Sequence, residues 1–109
     1  MSKLQILTIA ILAGMASTAD AAEAKALYER KCIMCHGADG KGETKMGKKY
    51  GARDYTDVKV QAELKDDKAF KAIKEGLKDK AGKALMKPAE GMTDDEIRAL
   101  VKQMRSFKK

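Results

Sequence analysis

Apolar residues recur most regularly near the C-terminus, where Ile97, Leu100, Val101 and Met104 fall at i, i+3, i+4 and i+7, the spacing of one buried helix face. Thr93-Asp94-Asp95-Glu96 precedes them and reads as a capping box, in which the Thr hydroxyl and the Glu carboxylate satisfy free amide donors. Its acidic charge lies at the positive end of the helix dipole, and Lys102, Arg105, Lys108 and Lys109 complement the other end. Phe107 extends the apolar face. A second helix is predicted over roughly 67–75, with Asp66 or Asp67 as cap, Phe70 and Ile73 one turn apart, Gly76 as the exit and Leu77 closing it. A third begins near Glu23, carries Leu27 and Tyr28, and runs into Cys32. Ala24 is small enough to admit another helix, and the C-terminal helix is the expected partner. Nine Val, Ile and Thr follow residue 21, without sustained alternation, so no sheet is expected. Between the helices, residues 37–55 hold five glycines and many lysines, the mark of a loop wrapped around something.

The N-terminus carries a different pattern. Ser2-Lys3 is a short basic start, and Leu4, Ile6, Leu7, Ile9, Ile11, Leu12 and Met15 form an apolar run. Ala19-Asp20-Ala21 then fits the small-x-small site of a signal peptidase. Residues 1–21 are therefore expected to be a secretory signal peptide, and residues 22–109 one folded domain. The run falls short of the about 20 apolar residues that span a bilayer, and no cysteine lies at the cleavage site for lipid attachment. The expected product is exported, soluble, periplasmic and monomeric, with no stable membrane insertion.

Composition narrows this further. The chain has 109 residues, enough for one domain, with 23 Lys and Arg against 16 Asp and Glu, a net charge of +7. Removing residues 1–21 takes away Lys3 and Asp20, so the basic balance belongs to the folded part. Hydrophobic residues reach 44%, which excludes a disordered tail. Aromatics are only 5% and Trp is absent, so the core lacks bulky side chains and something else is expected to fill it.

Cys32-Ile33-Met34-Cys35-His36 contains both cysteines and the single histidine of the chain. Thiols at i and i+3 lie on one side of a helical turn, where each adds across a vinyl group of haem to form a thioether. The adjacent imidazole then lies beneath the ring plane, able to ligate iron; this is the C-x-x-C-H signature of c-type haem attachment. Rival readings fit less well. A structural zinc site needs about four ligands, a thioredoxin-like dithiol calls for a βαβ context, and a disulfide across so short a loop constrains the unfolded chain little.

An electron-transfer haem has both axial positions filled, and with no second histidine a methionine thioether is the natural candidate. Met34 lies inside the attachment turn, Met104 belongs to an apolar helix face, and Met92 occupies the staple position before Thr93. Met86, in Leu85-Met86-Lys87-Pro88, lies in an irregular segment stiffened by proline and is the expected distal ligand. Met46, in the glycine-rich stretch, and Met92 are its competitors.

Cys32-Ile33-Met34-Cys35-His36-Gly37 after a short helix, Asp39-Gly40-Lys41-Gly42, Lys74-Glu75-Gly76, Met86 before a proline, and Thr93-Asp94-Asp95-Glu96-Ile97 follow one another in an order that resembles a small bacterial class I cytochrome c over the whole of 22–109. The resemblance implies an all-α fold of three to four helices around one covalent haem c, with thioethers at Cys32 and Cys35 and iron ligands His36 and Met86. It also implies that Tyr28 and Ala24 sit where the first and last helices cross. Two departures stand out. Lys87 separates Met86 from Pro88, and no proline follows the attachment motif, so a backbone carbonyl in roughly 44–50 is expected to orient His36.

The expected function is single-electron transfer, not catalysis, with a fairly positive couple because methionine favours ferrous iron. The alternative is a haem-based small-ligand binder or weak peroxidase with an open sixth position. Leu27, Tyr28, Ile33, Phe70, Ile73, Leu85, Ile97, Leu100, Val101 and Met104 are expected to pack on the haem, leaving the apoprotein largely unfolded. Lys41, Lys45, Lys48, Lys49, Lys83 and Lys87 lie near the ligand segments and suit redox donors and acceptors with acidic docking patches. No nucleic-acid partner is expected.

Overall fold

The computed structural model describes residues 21–109; the expected signal peptide, 1–21, lies outside them apart from Ala21. Among the described residues there are six helical segments and one short ribbon, ordered α1 (Ala21–Lys31), α2 (Ile33–His36), α3 (Lys45–Tyr50), α4 (Val58–Glu63), α5 (Asp66–Glu75), β1 (Leu77–Lys78), β2 (Ala84–Met86) and α6 (Asp94–Arg105). The three expected helices are α1, α5 and α6, and the architecture is all-α in character. No helix of the described residues is long and apolar enough to cross a membrane.

α6 is built as its sequence dictates. The Thr93 hydroxyl accepts from Glu96 N at 3.1 Å, and Glu96 Oε1 accepts from Thr93 N at 2.8 Å, closing the capping box. Its apolar stripe is buried throughout, with Ile97 only 1% exposed. α1 crosses it through Ala24, Leu27 and Tyr28, so Leu27, Tyr28 and Leu100 form one cluster, against which Cys32, Ile73, Met92 and Phe107 pack. α5 lies on the other side: Ala69, Val101 and Met104 form a second cluster, covered by Tyr55, Leu64, Phe70 and Ile73. Ile73 joins the two. Phe107 lies just past the helix end and meets the Tyr28 ring at 5.2 Å.

Three local expectations change, and one further helix forms where none was expected or excluded. The cap of α5 is Lys65, without a side-chain hydrogen bond, and Asp66 and Asp67 occupy the first turn, where they face the dipole instead. Leu77 does not close that helix; it is half exposed on the ribbon. Within the glycine-rich stretch, Thr44 caps α3 by accepting from Gly47 N at 2.8 Å, and six residues that read as loop become helix. Asp57 likewise caps α4, burying Val60 and Gln61.

A small antiparallel ribbon also forms where no sheet was expected, pairing Leu77 with Met86 and Lys78 with Ala84 across an irregular register. It is too short to show alternation. Its turn is shaped by Asp79, whose Oδ1 accepts from Ala81 N and Lys83 N at 2.9 Å. The ribbon returns against the end of α5 because Gly76 lies at φ +80°, where a Cβ would stand 2.5 Å from the Met86 carbonyl oxygen and 2.9 Å from Pro88 N. Ala89 N then donates to Ile73 O at 2.9 Å, fastening the segment after Met86 to α5.

Candidate haem site

Cys32, Cys35 and His36 lie together on the turn that continues α1 into α2. Cys32 N donates to Tyr28 O and His36 N to Cys32 O, both at 2.9 Å, so the turn is an extension of the first helix. Its C-terminal carbonyls would otherwise lack partners. Thr44 serves two of them: its hydroxyl is shared between Met34 O at 2.8 Å and Cys35 O at 2.9 Å, while it accepts from Gly47 N. Gly42 N takes the third, donating to His36 O at 2.9 Å. α3 is thereby pinned to the attachment turn. Beyond it, the buried Tyr28 hydroxyl donates to Gly37 O at 2.5 Å and ties the exit of the turn back to α1.

Both cysteines are free thiols, and both are half-buried. Burial pushes the Cys32 thiol up to about 11, with Cys35 adding to the rise and Lys31 opposing it. Burial also holds His36 below the ordinary imidazole value, which keeps the ring neutral and its nitrogen lone pair available. The His36 ring stacks on Tyr55, with centroids 5.2 Å apart and planes 22° from parallel. Tyr55 is itself raised by burial.

His36 Nδ1 is buried and has no hydrogen-bond partner. The carbonyl expected from residues 44–50 does not reach it, because that segment is helical and spends its carbonyls locally: Thr44 O accepts from Lys48 N and Gly47 O from Ala52 N. What the fold supplies around the imidazole is an aromatic face. Two thiols on one turn with an imidazole whose Nδ1 is buried and unpaired form a donor set that fits a tethered haem. Among the described residues, no three His, Cys, Asp or Glu side chains converge as a chelating cluster, so the turn is not laid out as a zinc site.

The methionines separate by place. Met34 is 70% exposed on α2, Met46 stands at 36% on α3, and Met104 is buried in the second core cluster. Met92 packs on the first cluster, as a staple residue should. Met86 is half-buried at the end of β2, on an element separate from the turn of Cys32, Cys35 and His36. The ribbon that carries it reaches α3 through Tyr50, whose ring has Lys83 Nζ at 5.9 Å on one side of the connection and Lys49 Nζ at 5.3 Å on the other.

Sequence reasoning missed two residues of this site. Thr44 carries a readable signal, a cap-type residue directly before the segment that forms α3. Tyr55 carries none beyond being one of few aromatics, since its meeting with His36 depends on the path of the whole 37–55 segment.

A helical chain with its thiols and histidine on the turn after the first helix, and with first and last helices crossed, has the design of a haem-binding electron carrier. The family model for cytochrome c matches residues 21–108, and the chain belongs to the cytochrome c family. That family binds haem c covalently, with iron, and carries electrons between redox proteins; this chain is an electron carrier of that kind. Among solved structures it is similar to the KustC0563 c-type cytochrome, at 37% identity and a TM-score of 0.68, covering 79% of this chain and 98% of that one. A tyrosine mutant of Kustc0563 is similar at 35% identity and a TM-score of 0.66, covering 78% of this chain and 98% of that one. No curated protein matches.

Proposed function

We propose that the chain is an exported, periplasmic single-electron carrier whose one haem is tethered through Cys32 and Cys35 and ligated by His36 and Met86. The observation that carries this reading is the half-buried His36, whose buried ring nitrogen has no partner, on the same turn as two free thiols in a cytochrome c fold. Bound there, the haem supplies an iron centre that alternates between ferric and ferrous states.

The chain's own residues do the rest. The turn from Cys32 to His36 holds the imidazole on rigid helix, clamped by Thr44 and Tyr28, so His36 does not move when charge at the iron changes. Met86 is favoured over Met46 and Met92 because it alone of the three is neither in an exposed helix nor packed on the α1–α6 core. Two fixed ligands imply small reorganisation, which suits a carrier, and a thioether partner raises the potential. Ile33, Phe70, Ile73 and Leu85 are only partly covered by protein and provide the apolar lining that excludes water. Lys49 and Lys83, held near Tyr50, belong to the basic rim through which acidic patches on a donor or acceptor are steered. The working form is a monomer, after removal of residues 1–21.

Oxidised and reduced spectra of the exported holoprotein test the ligation. The near-infrared sulfur-to-iron band is expected in the parent and in Met46→Ala, and lost in Met86→Ala. A parent without that band would leave the sixth position open and favour a small-ligand binder.

A further inference from the structure

Gln61 is the single buried amide side chain among the described residues, 6% exposed, and electron transfer as described leaves it without a role. Every hydrogen-bonding group of its amide is spent across element boundaries. Nε2 donates to Tyr55 O at 2.6 Å and to Met104 O at 3.0 Å, so one amide ties the segment before α4 to the last turn of α6. Oε1 accepts from Arg105 Nη1 at 2.8 Å. Because Arg105 only donates and the two carbonyls only accept, the amide has a single workable orientation.

Arg105 completes the arrangement. Its Nη1 also donates to Gln61 O at 2.7 Å, its Nη2 to Leu64 O and to Asp66 Oδ1 at 2.8 Å, and its Nε to Asp66 Oδ1 at 3.0 Å. All five guanidinium N–H groups are matched. The network locks α4, the start of α5 and the end of α6 into one frame, and Tyr55 hangs from that frame by its carbonyl.

Tyr55 is gripped at both backbone groups: its N–H donates to Gly40 O at 2.8 Å, and its carbonyl accepts from Gln61. With both ends fixed, its ring lies against His36 at 5.2 Å and 22°. No hydrogen bond to Nδ1 holds the imidazole, so this aromatic face is the contact that sets its environment.

We infer that Gln61 is a positioning residue for the iron ligand His36, acting through the Tyr55 backbone to hold the tyrosine ring over the imidazole and keep water from it. This rests on His36 being the iron ligand. A ferric centre carries one more positive charge than a ferrous one, so water reaching the imidazole favours the ferric state and lowers the potential.

The test uses exported holoprotein of Gln61→Leu, with Val60→Ala as a control that truncates the neighbouring buried side chain of the same helix. Two quantities are read: the midpoint potential, and the proton resonances of the His36 ring in the diamagnetic ferrous state, which report the Tyr55 ring current. The parent's His36 ring signals must first show the large upfield displacement of a haem-bound imidazole; without it the ligation reading fails, independently of Gln61. Given that, Gln61→Leu is expected to lower the potential and move the His36 ring signals, with Val60→Ala changing neither. If Gln61→Leu loses thermal stability but leaves potential and ring signals at the parent values, Gln61 is structural only and the inference is overturned. Should Gln61→Leu yield no holoprotein, Gln61→Glu decides: it keeps an acceptor for Arg105 but removes the donors to Tyr55 and Met104, so moved ring signals support the inference and unmoved ones overturn it.

Discussion

Gly47→Ala separates what helix propensity expects from what packing allows. Gly47 is in the first half of α3, where alanine is intrinsically better by about 1 kcal/mol. Propensity alone therefore predicts stabilisation. In the fold, however, a Cβ at Gly47 falls well inside contact distance of the Cys35 and Gly42 carbonyl oxygens and 3.0 Å from Gly42 C. These are backbone atoms of the attachment turn and its following loop, and no rotamer change moves them. Relief requires α3 to withdraw from α2 by on the order of 1 Å. That movement breaks or stretches the Thr44 hydroxyl bonds to Met34 O and Cys35 O and the Gly42 N to His36 O bond. Those bonds contribute roughly 2–3 kcal/mol together. Net of the propensity gain, destabilisation of about 1–2 kcal/mol is expected, a fall of about 10 °C in melting temperature for a domain of this size. Thermal melts of the holoprotein, followed by far-ultraviolet circular dichroism and by the haem Soret band, measure it. A variant as stable as the parent, or more so, would refute the packing of α3 on the haem-attachment turn.

Other expectations follow from single contacts. Thr93→Ala removes the capping box of α6 and is expected to cost about 1 kcal/mol in guanidinium unfolding, whereas Thr93→Ser retains most of it. Tyr28→Phe removes the stronger of two donors to Gly37 O, which keeps Gly40 N at 3.2 Å, and is expected to cost about 0.5–1.5 kcal/mol, with the Tyr28–Phe107 ring contact kept; an unchanged denaturation midpoint would deny that bond a role. Burial raises both the Tyr28 and Tyr55 hydroxyls, so the folded state holds their protons more tightly than the unfolded chain does. That contribution is complete below the unfolded tyrosine value of about 10 and is lost as pH rises beyond it. Unfolding midpoints are therefore expected to fall above about pH 10, and less steeply in Tyr28→Phe; an equally steep fall in that variant would count against the assignment.

The sequence by itself determined the parts of this protein whose causes are local. The 3.6-residue stripe from Ile97 to Met104 and the Thr93–Glu96 box specify α6 because the amphipathic face and its cap both lie within one segment. The Cys32–His36 motif places its three groups on one turn whatever the rest of the chain does. The family resemblance rests on these same local signals.

Tertiary structure decided everything that depends on two distant segments meeting. Thr44 caps α3 in a stretch whose glycines and lysines read as loop, and Asp57 caps α4 just beyond that stretch; α3 is held on the α2 turn and α4 against α6. The ribbon at Leu77–Lys78 and Ala84–Met86 is too brief for periodicity; an Asp79 turn and the positive φ of Gly76 make it. Partners for His36 lay beyond local reading as well. Its expected carbonyl is consumed within a helix, and its actual neighbour, Tyr55, arrives nineteen positions later in the chain under the grip of Gln61 and Gly40. Residue type and spacing suffice where a segment chooses its own hydrogen bonds and buried face; they do not suffice where a side chain's environment is the sum of several segments, as it is around His36.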